Sequence, residues 1–229
     1  MVDHFQTLRA ITPKEKKSGW QFPWKRRNKT IWLLAILILV ITASGCTSGY
    51  QGTELSGEAP GFQLTDQNSS VVKLSDFRGK VVVLTFMDSK CQDTCPLTAA
   101  HFREAYKELD QNEAKQVVFL GVNVNVEVSA VSDVMATTRA WHLDEIPNWH
   151  FLTGNPDELE PVWKDYAVAA IHNPDGNSIM HTPGTFLIDP LGQQRWYIST
   201  PFSVENNAEV TLPLSELLVN HIREILKDN

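Results

Sequence analysis

The hydrophobic and polar residues after position 59 alternate in blocks, and each block predicts one structural element. Residues 81–86 and 117–124 are mostly β-branched and aromatic, which predicts strands buried on both faces of a parallel or mixed sheet. Residues 62–65 and 71–74 flank a polar turn and predict a small hairpin. Three shorter apolar runs predict further strands at residues 149–152, 186–188 and 196–198.

Helices are predicted between these strands. Phe102, Tyr106 and Leu109 recur at i, i+4 and i+7, which marks one face of a helix that begins near Pro96. Asn155 precedes a proline and two acidic residues, a pattern typical of a helix start. Two more helices are predicted at residues 132–143 and 214–226. Because buried strands alternate with helices, we expect an α/β fold with a central mixed β-sheet flanked by helices.

The first 46 residues have the pattern of a targeting segment. Residues 1–30 form a basic cytoplasmic leader, and residues 31–43 are an uncharged apolar run, shorter than the roughly 20 residues that span a bilayer. Ala43-Ser-Gly-Cys46 looks like a bacterial lipobox, so residues 31–46 are predicted to be a signal or anchor segment with Cys46 as the lipidation site. The alternative is an uncleaved anchor helix. Both place the rest of the chain outside the cytoplasm, at the cell membrane.

The charge distribution separates this leader from the rest of the chain. Residues 1–46 carry eight Lys or Arg and two acidic residues, whereas residues 47–229 carry twelve and twenty-five. An acidic body repels phosphate backbones, so nucleic acid is a poor candidate partner and none is expected. Residues 47–58 are polar and rich in Gly and Ser, which predicts a tether. Residues 59–229 are predicted to form the folded domain.

Cys91 and Cys95 are the most informative chemical feature of the sequence. They follow the predicted strand at residues 81–86 and open the next predicted helix, where unpaired N–H groups favour thiolate. At i and i+4 their Cβ atoms would be about 5–6 Å apart, close enough to share a metal ion or to form a reversible disulfide. Lys90 is expected to lower the pKa of the neighbouring thiol.

Three motifs follow one another between residues 59 and 200: Cys91-x-Asp-x-Cys95-Pro, Thr153-Gly-x-Pro before a helix, and His181-x4-Phe-Leu-Ile-Asp-Pro. Together with the opening hairpin, this order resembles the Sco/SenC family of copper chaperones of cytochrome c oxidase assembly. The resemblance implies a thioredoxin-like fold and a copper ion bound by Cys91, Cys95 and His181. It also implies, as a partner, the oxidase subunit that carries a copper site or another copper or thiol protein.

The chemistry of these three residues agrees with that expectation. Two thiolates and an imidazole form a soft set that suits Cu(I), and a further donor or water would accommodate Cu(II). Zinc is the competing metal, but a structural zinc site uses four ligands. His181 has the alternative of forming only a hydrogen bond within its loop. The other histidines are expected to be surface or packing residues.

Pro183 bears on a second function. It lies three residues before Phe186, where thioredoxin-like oxidoreductases carry a cis-proline that faces the cysteines. A cis Pro183 would favour a membrane-anchored thiol–disulfide oxidoreductase that uses Cys91 and Cys95 as its redox-active, catalytic pair. A trans proline in an ordinary loop is the alternative. A peroxidase is a weaker third reading, because no peroxiredoxin-like lead-in precedes Cys91.

Overall fold

The computed structural model describes residues 52–172, 179–199 and 212–228. The predicted basic leader and the signal or anchor segment with Cys46 lie outside the described residues. The chain divides into two units, Met1–Thr47 and Ser48–Asn229, and all described residues belong to the second. A search of this described part finds no helix with the length and apolar character needed to cross a membrane.

The described residues contain short strands and five α-helices. The strands are, in chain order, β1 (Thr53–Glu54), β2 (Gln63–Thr65), β3 (Val71–Lys73), β4 (Val81–Met87), β5 (Val117–Asn123), β6 (Trp149–Leu152), β7 (Ala170–His172), β8 (Ile179–His181), β9 (Thr185–Ile188) and β10 (Gln194–Ile198). The helices are α1 (Thr94–Glu108), α2 (Gln111–Lys115), α3 (Val131–Ala140), α4 (Pro156–Asp165) and α5 (Leu214–Lys227).

Six strands form a central mixed sheet in the order β1-β10-β9-β4-β5-β6. Strands β4, β5 and β6 are parallel, while β9 pairs antiparallel with both β4 and β10. The register pairs Thr85 with Thr185. Because β4 and β9 run in opposite directions, the segment that leads into β9 lies at the same sheet edge as the residues that follow β4.

Strand β4 is buried on both faces, as its apolar run predicts. Val81 and Val83 pack in one core cluster together with residues of α1 and α5. Val82 and Leu84 pack in the other cluster, which contains residues of α4 and of the β2–β3 hairpin. The alternation follows from the two-residue side-chain period of a strand. Helices therefore cover both faces of the sheet, which confirms the predicted fold class.

Three strands and one α-helix were not predicted from the sequence. Strand β1 lies within the segment predicted to be a tether and pairs with β10, so the sheet begins at Thr53. Helix α2 and the separate two-stranded β7–β8 hairpin were also not predicted. Each of these segments has five residues or fewer, too short for a periodic pattern to stand out from a loop.

Candidate metal and redox site

The cysteines lie where β4 ends and α1 begins. Asp93 is the N-cap of α1, and its side chain accepts a hydrogen bond of 2.6 Å from the Thr94 N–H. Cys91 is half-buried in the loop before this cap, and Cys95 is 3% exposed in the first turn of the helix. Both are free thiols, so the predicted Cys91–Cys95 disulfide stays a prediction about another redox state.

Cys91 lies in surroundings that favour its thiolate. The Cys95 thiol donates a hydrogen bond to it, and so do the Thr94 hydroxyl, at 3.5 Å, and the Cys95 N–H, at 3.3 Å. These bonds lower the pKa of Cys91 to about 6, with the bond from the Cys95 thiol as the largest cause and partial burial as an opposing one. Lys90, which the sequence analysis expected to have this effect, pairs with Glu127 at 3.3 Å.

The Cys95 thiol, in contrast, favours its protonated form. Its hydrogen bond to Cys91 is the largest cause that raises its pKa well above the ordinary value, and burial and the negative charge of Cys91 add to it. The sequence analysis expected both thiols to be activated by the helix start, and for Cys95 this was wrong because the buried thiol serves as a donor to its neighbour. The hydrogen bonds and burial therefore favour the thiolate at Cys91 and the protonated thiol at Cys95.

His181 ends strand β8 and approaches the cysteines from a distant part of the chain. Its Nδ1–H donates to the Thr182 carbonyl at 3.1 Å, which leaves the lone pair on Nε2. Nε2 lies 3.7 Å from Sγ of Cys95. Burial lowers the pKa of the imidazole, so it is neutral at pH 7. A neutral ring whose Nε2 carries a lone pair is the form that binds a metal ion.

The spacing of Cys95 and His181 suits two ligands of one metal. Bonds of about 2.3 Å to sulfur and 2.0 Å to nitrogen, at an angle of about 120°, place the two donor atoms about 3.7 Å apart. Among the described residues, no group of three or more His, Cys, Asp or Glu side chains is already arranged to hold a metal ion. Cys91 contacts Cys95 directly, and the three-ligand set of Cys91, Cys95 and His181 stays a prediction.

The sequence left open whether Pro183 is cis or trans, and the structure has the trans form: the described peptide bonds include no cis bond. An X–Pro bond favours trans intrinsically, and here Gly184 makes the turn into β9. An added Cβ at Gly184 would lie 2.3 Å from the Tyr197 ring. The Tyr197 hydroxyl donates to the Pro183 carbonyl at 2.6 Å, which fixes the loop after His181 against β10.

Other histidines have local partners away from these cysteines. His101 lies 3.1 Å from Glu104, His150 lies 3.0 Å from Asp66, and His221 lies 3.0 Å from Glu224. The expectation that they are surface or packing residues is thus confirmed for these three.

Asp88 lies beside the site and was not predicted from the sequence. Its side chain is fully buried and accepts a hydrogen bond from the Ile179 N–H of β8 at 3.0 Å. The available signal was a carboxylate placed directly after a buried strand, where an unpartnered charge would be costly.

Comparison with known proteins gives the relationships of the chain. The SCO1/SenC family model matches residues 51–213. The SCO1 protein homolog of Bacillus subtilis is 26% identical over 152 residues, which cover 65% of this chain and 78% of that protein. The thiol-disulfide oxidoreductase ResA of Bacillus thuringiensis is 32% identical over 88 residues, which cover 35% of this chain and 50% of that protein.

Solved structures of Sco proteins share the fold. A SCO1/SenC family lipoprotein from Bacillus anthracis has a TM-score of 0.63 at 22% identity, covering 76% of this chain and 98% of its own. Arabidopsis thaliana ScoI with copper bound has a TM-score of 0.60 at 19% identity, with coverages of 76% and 100%. BsSco, a member of the Sco family of cytochrome c oxidase assembly proteins in which a disulfide switch was identified, has a TM-score of 0.57 at 21% identity, with coverages of 78% and 98%.

These likenesses show the fold expected from the sequence, thioredoxin-like with a central mixed sheet. The family model extends from just before β1 to the residue before α5 and so includes the cysteine loop and His181. The chain belongs to the SCO1/SenC family.

Proposed function

We propose that this chain is an extracytoplasmic metallochaperone that binds copper through Cys91, Cys95 and His181 and delivers it to a copper site of cytochrome c oxidase. The observation that carries the proposal is the 3.7 Å between Nε2 of His181 and Sγ of Cys95. The copper bound to Arabidopsis ScoI and the description of BsSco as a member of a cytochrome c oxidase assembly family support it.

The three ligands differ in whether they must lose a proton before they bind copper. Cys91 favours the thiolate and His181 the neutral imidazole, so both present a lone pair at neutral pH. Cys95 has to release its proton when the metal binds. Two thiolates and one imidazole are soft donors suited to Cu(I). Because Cys95 is the innermost of the three and Cys91 lies in the loop, exchange of ligands with a partner would begin at Cys91.

The test is an anaerobic Cu(I) titration of the whole reduced chain in detergent, with X-ray absorption of the loaded protein. One copper per chain with two sulfur neighbours and one nitrogen neighbour is expected. Equal uptake by the wild type and by the Cys91→Ala, Cys95→Ala double variant would sink the proposal. Zinc offered in competition decides between the two metals.

A second candidate function is thiol–disulfide exchange, favoured by the unequal thiols. The Cys91 thiolate attacks a partner disulfide, forming a mixed disulfide and releasing one partner thiolate. Cys95 then attacks the mixed disulfide at Cys91 and releases the second partner sulfur, and the proton that Cys95 loses is taken up by a released partner thiolate. The chain ends with a Cys91–Cys95 disulfide, and the partner has gained two electrons. The similarity to ResA supports this candidate.

Trapping distinguishes a redox role from copper binding alone. Cys95→Ser keeps the attacking thiol and removes the resolving one, so a mixed disulfide through Cys91 should accumulate with a model disulfide substrate. Cys91→Ser is the matched control and should trap far less. Equal trapping by both variants would argue against this order of attack.

We propose that the domain is held at the outer face of the cell membrane by residues 31–46. The apolar run followed by Ala43-Ser-Gly-Cys46 supports this, and a SCO1/SenC family protein of Bacillus anthracis is described as a lipoprotein. Mass spectrometry of membrane-extracted protein tests it. A lipidated N-terminal Cys46 supports cleavage, whereas an intact N-terminus supports the uncleaved anchor.

A further inference from the structure

Asp88 is a buried carboxylate with bonds to three separate segments. It follows β4 directly and its side chain is fully buried. Oδ1 accepts from the Lys90 N–H and from Nδ2 of Asn125, both at 2.9 Å, and Oδ2 accepts from the Ile179 N–H at 3.0 Å. These donors belong to the cysteine loop, the loop after β5, and β8.

The strand that carries His181 stands apart from the central sheet. Strand β8 pairs with β7 in a separate two-stranded hairpin. Ile179 and His181 are two positions apart in β8 and so have their side chains on the same face. Ile179 is buried and Met180, between them, is 61% exposed, so this shared face is turned towards the body of the protein. Fixing the backbone at Ile179 therefore fixes where His181 projects.

Asp88 also holds the other side of the site. Its backbone carbonyl accepts a hydrogen bond of 3.0 Å from the Cys91 N–H. One residue thus bonds to the backbone of Cys91 through its carbonyl and to the backbone of Ile179 through its carboxylate. Asp88 therefore connects the cysteine loop directly to the histidine strand.

We propose that Asp88 is a positioning residue, which sets the distance between His181 and the cysteines by bonding the Ile179 N–H and the Cys91 N–H at once. The role of this positioning in copper binding rests on the proposed function, whereas the positioning itself can be tested without copper. Asp88→Asn is the sharpest variant because it is nearly isosteric. The amide of asparagine has one oxygen, which can still accept from two donors. Its NH2 group replaces the second carboxylate oxygen and would face the third donor, so one of the three hydrogen bonds to the side chain is lost.

The first readout needs no metal. In the whole reduced chain in detergent, NMR should show an Ile179 amide protected from exchange and a nuclear Overhauser contact between the His181 ring and Cys95. In Asp88→Asn we expect exchange at Ile179 to be faster by about tenfold or more and the contact to be lost. An unprotected Ile179 amide in the wild type would overturn the inference without any variant.

Asn125→Ala is the matched control, because it removes a donor to Asp88 and leaves the bond to Ile179. It should retain the His181–Cys95 contact. If it loses that contact to the same extent as Asp88→Asn, general loosening of the buried cluster explains both results and the inference fails.

The second readout is a double-mutant cycle in copper affinity. If Asp88 acts through His181, Asp88→Asn weakens binding by about 10–100-fold in the wild type and by little in a His181→Ala background. Equal losses in both backgrounds would refute a role through His181. If the wild type takes up no copper while the NMR contact depends on Asp88, the copper function fails and the positioning role stands.

Discussion

Nε2 of His181 lies 3.7 Å from Sγ of Cys95, although 86 positions separate the two residues in the chain. The antiparallel pairing of β4 and β9 produces this proximity, because the end of one strand meets the start of the other. A loop that opens a helix and a strand that precedes β9 are thereby brought to one edge of the sheet.

Replacing His181 by alanine should weaken Cu(I) binding by about tenfold or more and leave the fold intact. The ring donates a hydrogen bond to the neighbouring Thr182 carbonyl, and its strand β8 lies outside the central sheet, so the sheet does not depend on it. Competition with a chromophoric chelator measures the affinity, and circular dichroism checks the fold. His101→Ala is the control, because this partly exposed residue of α1 pairs with Glu104, and it should bind as the wild type does. Equal affinity in both variants would remove His181 from the site.

Alkylation of the reduced protein should report a thiol with a pKa of about 6. Because the thiolate is the reactive form, the rate at Cys91 should reach half its plateau near that pH. In Cys95→Ala the pKa of Cys91 should rise, since the Cys95 thiol is the largest cause that lowers it. A midpoint near that of a free cysteine in the wild type would contradict the geometry.

Lys90→Met should leave the pKa of Cys91 almost unchanged. The Lys90 ammonium pairs with Glu127, and the thiolate is favoured by hydrogen bonds from Cys95 and Thr94. The same alkylation profile measures the effect. A shift as large as that of Cys95→Ala would mean that the charge of Lys90, and not hydrogen bonding, activates the thiol.

Copper affinity should rise with pH by about tenfold per unit between pH 7 and 8, which corresponds to release of one proton. The sign follows from the ligands: Cys91 has a lowered pKa and is already ionised, His181 has a lowered pKa and is already neutral, and Cys95 has a raised pKa and must lose its proton. Chelator competition at several pH values checks this. A hundredfold rise per unit would mean that both thiols start protonated.

Gly184→Ala should destabilise the fold by about 1–3 kcal/mol. An added Cβ lies 2.3 Å from the Tyr197 ring, and the Gly184 carbonyl accepts a buried bond of 2.9 Å from Thr85. Chemical denaturation measures the loss. Gly61→Ala is the control, because no atom lies within 4 Å of its added Cβ, and it should unfold at the wild-type midpoint. Equal midpoints for the two variants would contradict the packing around Tyr197.

Local sequence patterns determined much of the fold. The run at residues 81–86 predicts β4 because successive side chains alternate between two buried faces, and Asn155 predicts the start of α4 because its side chain caps the first turn. Cys91 and Cys95 are found in the same way, since their spacing and their place between strand and helix are properties of neighbouring residues.

Only the tertiary structure decided how these parts meet. It brings His181 to Cys95 through strand pairing, and Pro183 is trans beside Gly184. One hydrogen bond between the two thiols shifts their pKa values in opposite directions. It also gives Asp88 three donors from three segments. The physical reason is that patterns of period 2 or 3.6 record which face of an element is buried, whereas distances, hydrogen bonds and pKa values between remote residues depend on the packing of those elements.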